Sequence, residues 1–363
     1  MRTRLTALVT ALVLLSLVTS CTPAGTTTTR ETYWPTEGWR TSTPEEQGMD
    51  PARLAQLIDH IKQLGLDVDG VLVVRHGYIV LEEYLDFLND KDWLHPIYSV
   101  TKSITGACVG IALEKGLITG LDREMVEFFP DRTIQNLDER KQRITLEHLL
   151  TMTGGMAWNE WQYPYTDPRN AWIQALRSPD TVQYILDLPM ADEPGEVWNY
   201  NGGFTYLLAE IVTNASGQSI LDFATEHLFK PLGIENLNWR KDWNGRYDVA
   251  GGLEMTARDL AKFGYLYLHH GRWEDRQVVP ADFVAESTRT HNMVSAVTGY
   301  GYESWWTHPD DGVYYAAGIY GQRIYVAPEL DLVVVFTANI RGPDPEGQMR
   351  RWVRDYIMAA CND

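Results

Sequence analysis

The stretch "HPIYSVTKSITGACVGIALEKG", from His95 to Gly116, decides how the chain is read. Ser99 and Lys102 stand three residues apart where it begins. Ile104, Ala107, Cys108, Ile111 and Ala112 follow in an almost wholly apolar run. Positions i and i+3 share one helix face, so the hydroxyl and the amine can meet. A helix that apolar belongs in the core, which puts its first turn inside the protein, where a serine and a lysine need a reason. At ordinary residue usage Ser-x-x-Lys arises by chance roughly once in a chain this long, and Ser99–Lys102 is the only instance here. The plain structural alternative is a capping serine beside a solvated lysine. As a catalytic pair, Ser99 would be the nucleophile and Lys102 its base. An ammonium accepts no proton, so this role requires a lowered lysine pKa, which the helix dipole, apolar walls and desolvation would favour.

The rest of the sequence sets the context. The chain has 363 residues, enough for one large domain or two intimately packed ones. Acidic residues outnumber basic ones, 49 to 31. That balance argues against nucleic acid or an anionic lipid surface as main partner and suits a protein handling small substrates. Arg2 and Arg4 precede an apolar run, Leu5 to Val18, that ends in Val18-Thr19-Ser20-Cys21. This reads as a lipoprotein signal peptide over 1–21 with a bacterial lipobox, Cys21 being the lipidated residue. Residues 22–45 read as a flexible tether and 46–363 as the folded domain, exported and held at the cell envelope by its lipid anchor alone. Cys108 and Cys361 are expected as a buried thiol and a terminal one. The histidines are scattered without ligand spacing, so neither a metal nor a cofactor is expected. Oligomeric state is left open.

Asp50 to Leu64 predicts an amphipathic helix with Asp50 as cap and Pro51 at its first position. Two β-rich runs around Arg75-His76-Gly77 predict a hairpin. After the Ser99 helix the pattern is mainly helical to about residue 290. Strand signals then return at Tyr300–Trp306, Arg323–Val326 and Leu332–Phe336, before a closing helix over Glu346–Ala360. Strands from both chain ends enclosing a helical middle imply an α+β protein: one antiparallel sheet covered by helices, with a helical subdomain inserted at about 117–290. A catalytic cleft would lie where the two parts meet.

"YSVTKSIT" resembles the active-site helix of the serine β-lactamase and penicillin-binding-protein superfamily. The phrases "ITLEHLLTMTGG" from Ile144, "EPGEVWNYNGGFTYLLAEIV" from Glu193, "FKPLGI" from Phe229, "GGLEMTARDLAKFGYLYL" from Gly251 and "GIYGQRIYVAPELDLVVVFT" from Gly318 extend the likeness. It runs from about residue 50 to 357. The branch it most resembles is that of class C-like serine hydrolases, which includes esterases and 6-aminohexanoate-dimer hydrolases. The resemblance implies a β-lactamase/transpeptidase-like fold with a five-stranded antiparallel sheet. It also implies a second motif at Tyr200-Asn201-Gly202, where Tyr200 relays protons between Ser99 and the leaving group.

The third motif of that family usually opens with Lys or His. Here it falls on Ala316-Ala317-Gly318, so the cation that helps hold a penicillin carboxylate is missing. Gly318 would permit close backbone approach, and the N–H groups of Ser99 and Ile319 would form the oxyanion hole. A shifted register gives the second donor to Gln322 instead. Trp158 and Trp161, in the aromatic segment after "TMTGG", are candidate substrate contacts, as are Asn201 and Gly318. Trp305 and Trp306 read as core and sheet-edge packing, and His148 as satisfied within its helix. The expected activity is hydrolysis of a small carboxylic ester or linear amide through an acyl-enzyme. A penicillin-recognising D-alanyl-D-alanine carboxypeptidase or β-lactamase is the alternative, and a non-catalytic envelope-binding protein the rival of another class.

Overall fold

A computed structural model describes residues 32–86, 89–342 and 345–362. The segment expected as a signal peptide, Cys21 included, and the first part of the expected tether lie outside these residues. Among the described residues, no helix is long and apolar enough to cross a membrane.

The hairpin around residue 76 is the centre of the architecture. His76 and Gly77 both hold positive φ, the two-residue turn whose twist matches that of paired strands. The strands, in chain order, are β1 (Arg40–Thr41), β2 (Val68–Arg75), β3 (Tyr78–Tyr84), β4 (His95–Pro96), β5 (Leu237–Trp239), β6 (Leu253–Met255), β7 (Arg272–Trp273) and β8 (Arg276–Gln277). They continue with β9 (Asn292–Met293), β10 (Gly299–Tyr300), β11 (Trp305–His308), β12 (Val313–Gly318), β13 (Gln322–Ala327) and β14 (Leu332–Ala338). The main sheet has the order β1-β3-β2-β14-β13-β12-β11-β10-β9. Strands from the two chain ends meet at its centre, β2 against β14. The expected five-stranded antiparallel sheet therefore needs correcting: nine strands pair, and β1 joins β3 in parallel. The extra strands come from the segment before Pro51 and from 292–308, which folds back in short antiparallel pieces.

Helix α1 (Pro51–Leu64) is capped by Asp50, whose carboxylate accepts the Ala52 N–H, and it buries Leu54, Leu57, Ile58 and Ile61 along one stripe. The other main helices are α2 (Val100–Glu114), α3 (Gly202–Ser216), α4 (Ala257–Leu268) and α5 (Pro345–Trp352). Strand alternation divides the sheet's side chains between two cores. Leu72, Val74, Val333 and Val335 face α2 and α4. Val71, Val73, Val334 and Phe336 face α1 and the closing helix. In α2 every residue from Val100 to Ala112 is buried, as its composition demands.

Two boundaries move. The tether does not reach residue 45: Trp34 packs its ring on Tyr265, His269 and Trp273, the Trp39 indole donates to Arg258 O, and β1 extends the sheet. Aromatic side chains make this segment part of the domain. The helical insertion is also shorter than 117–290, because α4 lies on the sheet. A Cβ at Gly264 would collide with Ile324 and Val333, so only glycine lets the helix approach so closely.

Candidate active site

Ser99 opens α2 directly after Tyr98, whose φ of 47° places a bulky residue in the left-handed region. Such a backbone costs free energy and is kept where the surrounding structure over-determines it. Asp50, Asn201 and Thr256 cap their helices through their side chains, whereas Ser99 makes no such bond. Its Oγ instead accepts from Lys102 Nζ at 3.1 Å. Lys102 is itself buried and donates a second bond to Ala250 O at 2.8 Å. Tyr200, at the end of the loop leading into α3, lies beside the amine, with its ring centroid 5.0 Å from Nζ. Ser99 Oγ and Ala250 O take two of the three N–H groups of an ammonium, with Tyr200 close by.

The electrostatics correct the expectation of a depressed lysine. Burial does press the Lys102 pKa down, but its interactions with Tyr200, Glu160 and Glu303 outweigh that, and the result lies above the ordinary value. Those groups come from distant parts of the chain, so the local apolar helix could not announce them.

Ser99, Tyr200, Ala317, Gly318 and Ile319 line one cavity of about 910 Å³, walled by Trp161, Tyr165 and Trp306. A second arm of about 410 Å³ shares Ser99, Tyr165 and Ile319 and reaches Lys102, Glu160 and Asp248. The backbone of β12 reaches Ser99 because residue 318 is glycine: a Cβ there would collide with the Ile97 carbonyl oxygen. Gln322 lies one step past the turn and is not among the residues lining this cavity; its side-chain amide donates to Ala338 O.

The remaining candidates separate. Trp161 is 58 % exposed and stacks on Tyr200, with centroids 5.2 Å apart and planes at 17°. Trp158 is not at the surface of the cavity. It is buried at 8 % exposure and donates its indole N–H to Glu160, so the proposed substrate contact is corrected to a buried support. Asn201 likewise is buried and caps α3 through the Gly203 N–H. Residues missed in the sequence are Trp306 and Glu160. Trp306 stacks on Tyr200 and lines the cavity, while its neighbour Trp305 goes into the core; alternation along β11 separates the pair. Glu160 accepts from Trp158 Nε1, Tyr165 Oη and the Gly202 N–H, tying the aromatic segment to the start of α3. An acid amid aromatics was its only signal. His148 accepts from the Thr145 N–H within its own capping box.

Glu303 is a second buried acid near Lys102. Thr205 donates to its Oε2 at 2.7 Å, and Oε1 has no partner. Burial pushes its pKa from 4.5 to about 8, against the opposing pull of Thr205 and Lys102. Since the folded value is the raised one, the contribution to stability is full below about pH 4.5 and is lost as pH rises through about 8. Glu303→Gln is therefore expected to flatten the fall in unfolding free energy between about pH 5 and about pH 8, by on the order of 2–4 kcal/mol at the upper end. Parallel melting curves for the two proteins would contradict this.

The family model for Beta-lactamase matches residues 54–358. The 6-aminohexanoate-dimer hydrolase of Paenarthrobacter ureafaciens is 28% identical over 307 residues, covering 78% of this chain and 74% of that one. Among solved structures, a family VIII carboxylesterase superposes with a TM-score of 0.68 at 13% identity, covering 88% of this chain and 99% of its own. A penicillin binding protein from Bacillus halodurans gives 0.65 at 19%, covering 81% and 99%. The chain belongs to the Beta-lactamase family and is a serine hydrolase.

Proposed function

We propose that the chain hydrolyses small carboxylic esters or linear amides through an acyl-enzyme on Ser99. The observation that carries this reading is the 3.1 Å contact of Ser99 Oγ with a buried Lys102 on the floor of an aromatic-walled cavity. Lys102 and Tyr200 together lack one proton in the active form. The phenolic oxygen of Tyr200, beside Lys102, is the atom through which the pair accepts a proton. That oxygen takes the Ser99 proton as Oγ attacks the carbonyl carbon. The carbonyl electron pair moves onto oxygen, held by the N–H groups of Ser99 and Ile319. Collapse expels the alcohol or amine, which Tyr200 protonates; water then releases the acid by the same steps.

The relative named for 6-aminohexanoate-dimer hydrolysis supports this substrate range, as does Ala316 where penicillin-recognising relatives carry a cation. One observation favours the second reading, a penicillin-recognising peptidase or β-lactamase. Arg341, exposed at the cavity rim over the Tyr320 ring, would meet a substrate carboxylate. A panel of p-nitrophenyl esters, short amides and nitrocefin separates the two. Turnover of a short ester or amide that vanishes in Ser99→Ala supports the proposal. Nitrocefin turned over faster than every ester favours the second. No turnover together with no fluorophosphonate labelling would leave a non-catalytic binding protein.

We also propose that the domain works outside the cytoplasm on a lipid anchor at Cys21. The support is the basic, apolar and Val18–Cys21 sequence pattern.

A further inference from the structure

The turn that carries Ile319 is an unlikely place for a rigid hydrogen-bond donor. Strand β12 ends at Gly318, β13 begins at Gln322, and the residues between bend through Tyr320 at φ 62° and Gly321 at φ 99°. A peptide flanked by glycine rotates with little steric resistance. Its orientation matters because a trans peptide is planar and its C=O and N–H point in opposite directions. Whatever holds the Gly318 carbonyl therefore also aims the Ile319 N–H.

Arg323 holds it. The guanidinium is buried and donates from Nη1 to Gly318 O at 2.6 Å and to Gln322 O at 2.8 Å. Its Nε donates to Glu346 Oε2 at 2.7 Å. Glu346, in the first turn of α5, is in turn fixed through Oε1 by His308 Nε2 and by the Tyr325 hydroxyl, each at 3.0 Å. Burial raises the Glu346 pKa, but Arg323 and His308 bring it down to about 2, so the carboxylate stays charged. A planar guanidinium with several donors in fixed directions suits this clamp better than a flexible ammonium. A cation on the Gly318 oxygen also polarises the peptide, which makes its N–H a stronger donor.

We propose that Arg323, braced by Glu346, is a positioning residue that locks the Gly318–Ile319 peptide so that the Ile319 N–H faces the developing oxyanion. This rests on the reading of Ser99 and Ile319 given above. The arginine acts through the peptide and touches no reacting atom. Its removal should therefore weaken binding of the tetrahedral state and leave the ground state alone.

The test compares the full chain with Arg323→Met, Arg323→Lys, Glu346→Gln and the double variant Arg323→Met/Glu346→Gln. The last avoids stranding a buried carboxylate. The substrate is neutral p-nitrophenyl acetate, so a guanidinium–carboxylate contact plays no part, and phenylboronic acid serves as tetrahedral mimic. The expected result is a kcat lowered about 10–100-fold in both methionine variants with KM unchanged, and boronate affinity weakened by a similar factor. Arg323→Lys should recover part of both. The proposal is overturned if the folded double variant keeps wild-type kcat and boronate affinity. It is equally overturned if the loss appears in KM alone, which would make Arg323 a substrate contact. If the wild-type protein shows no Ser99-dependent turnover, the reading of the site fails first and this role falls with it.

Discussion

Ser99→Ala is expected to lower kcat for any ester substrate by about 10⁴-fold or more, with the thermal midpoint unchanged. The reasoning is local. The hydroxyl takes no part in capping α2, and its one hydrogen-bond partner is Lys102. Deleting it leaves that amine with Ala250 O and Tyr200, so no buried charge is stranded. Ser99 is also only half-buried, so the lost packing is small. An acyl-enzyme route has no substitute for the missing oxygen. The residual rate, from the oxyanion hole acting on water, would be a few orders of magnitude above background at most. A variant that keeps more than about a tenth of wild-type activity would contradict the assignment.

Lys102→Met and Tyr200→Phe should each lower kcat by about 10³-fold, and the double variant should lose little more than either alone. The pair acts as one base: without Lys102, the Tyr200 oxygen loses the adjacent cation that supports it as a proton acceptor; without the phenol, no oxygen is left to take the Ser99 proton, because an ammonium has no lone pair. Groups acting as a unit are non-additive in this way. The stability cost should differ. Tyr200→Phe keeps the ring stacked between Trp161 and Trp306. Lys102→Met removes a cation that faces Glu160 within the core. Independent, multiplying losses in kcat would show that the two residues act in separate steps.

Much of the fold could be read from periodicity. The Asp50 cap, the apolar stripe of α1, the turn at His76-Gly77 and the fully apolar α2 are local patterns, and each forms where its residues predict. The sheet edges could not be read so far, because β1 and β9–β11 are two to four residues long and are defined by their partners. In the site, spacing places Ser99 beside Lys102 because i and i+3 meet on any helix. Tyr200 and Ile319 came by resemblance, and the structure puts both on the same cavity as Ser99. What stayed hidden depends on long-range contact. Glu160 takes its meaning from a Gly202 N–H forty-two residues away. Trp158 and Trp161 differ in fate because one points at that acid and the other at solvent. The charge on Lys102 is set by three groups that no local window contains.

The central claim is a covalent acyl-enzyme on Ser99, and intact-protein mass measured during turnover of p-nitrophenyl trimethylacetate tests it most directly. The branched acyl group slows deacylation, so the account predicts a burst of nitrophenol and a mass increase of one acyl group that maps to Ser99 and is absent in Ser99→Ala. Steady turnover with no adduct on the protein, or an adduct that persists in Ser99→Ala, would contradict it.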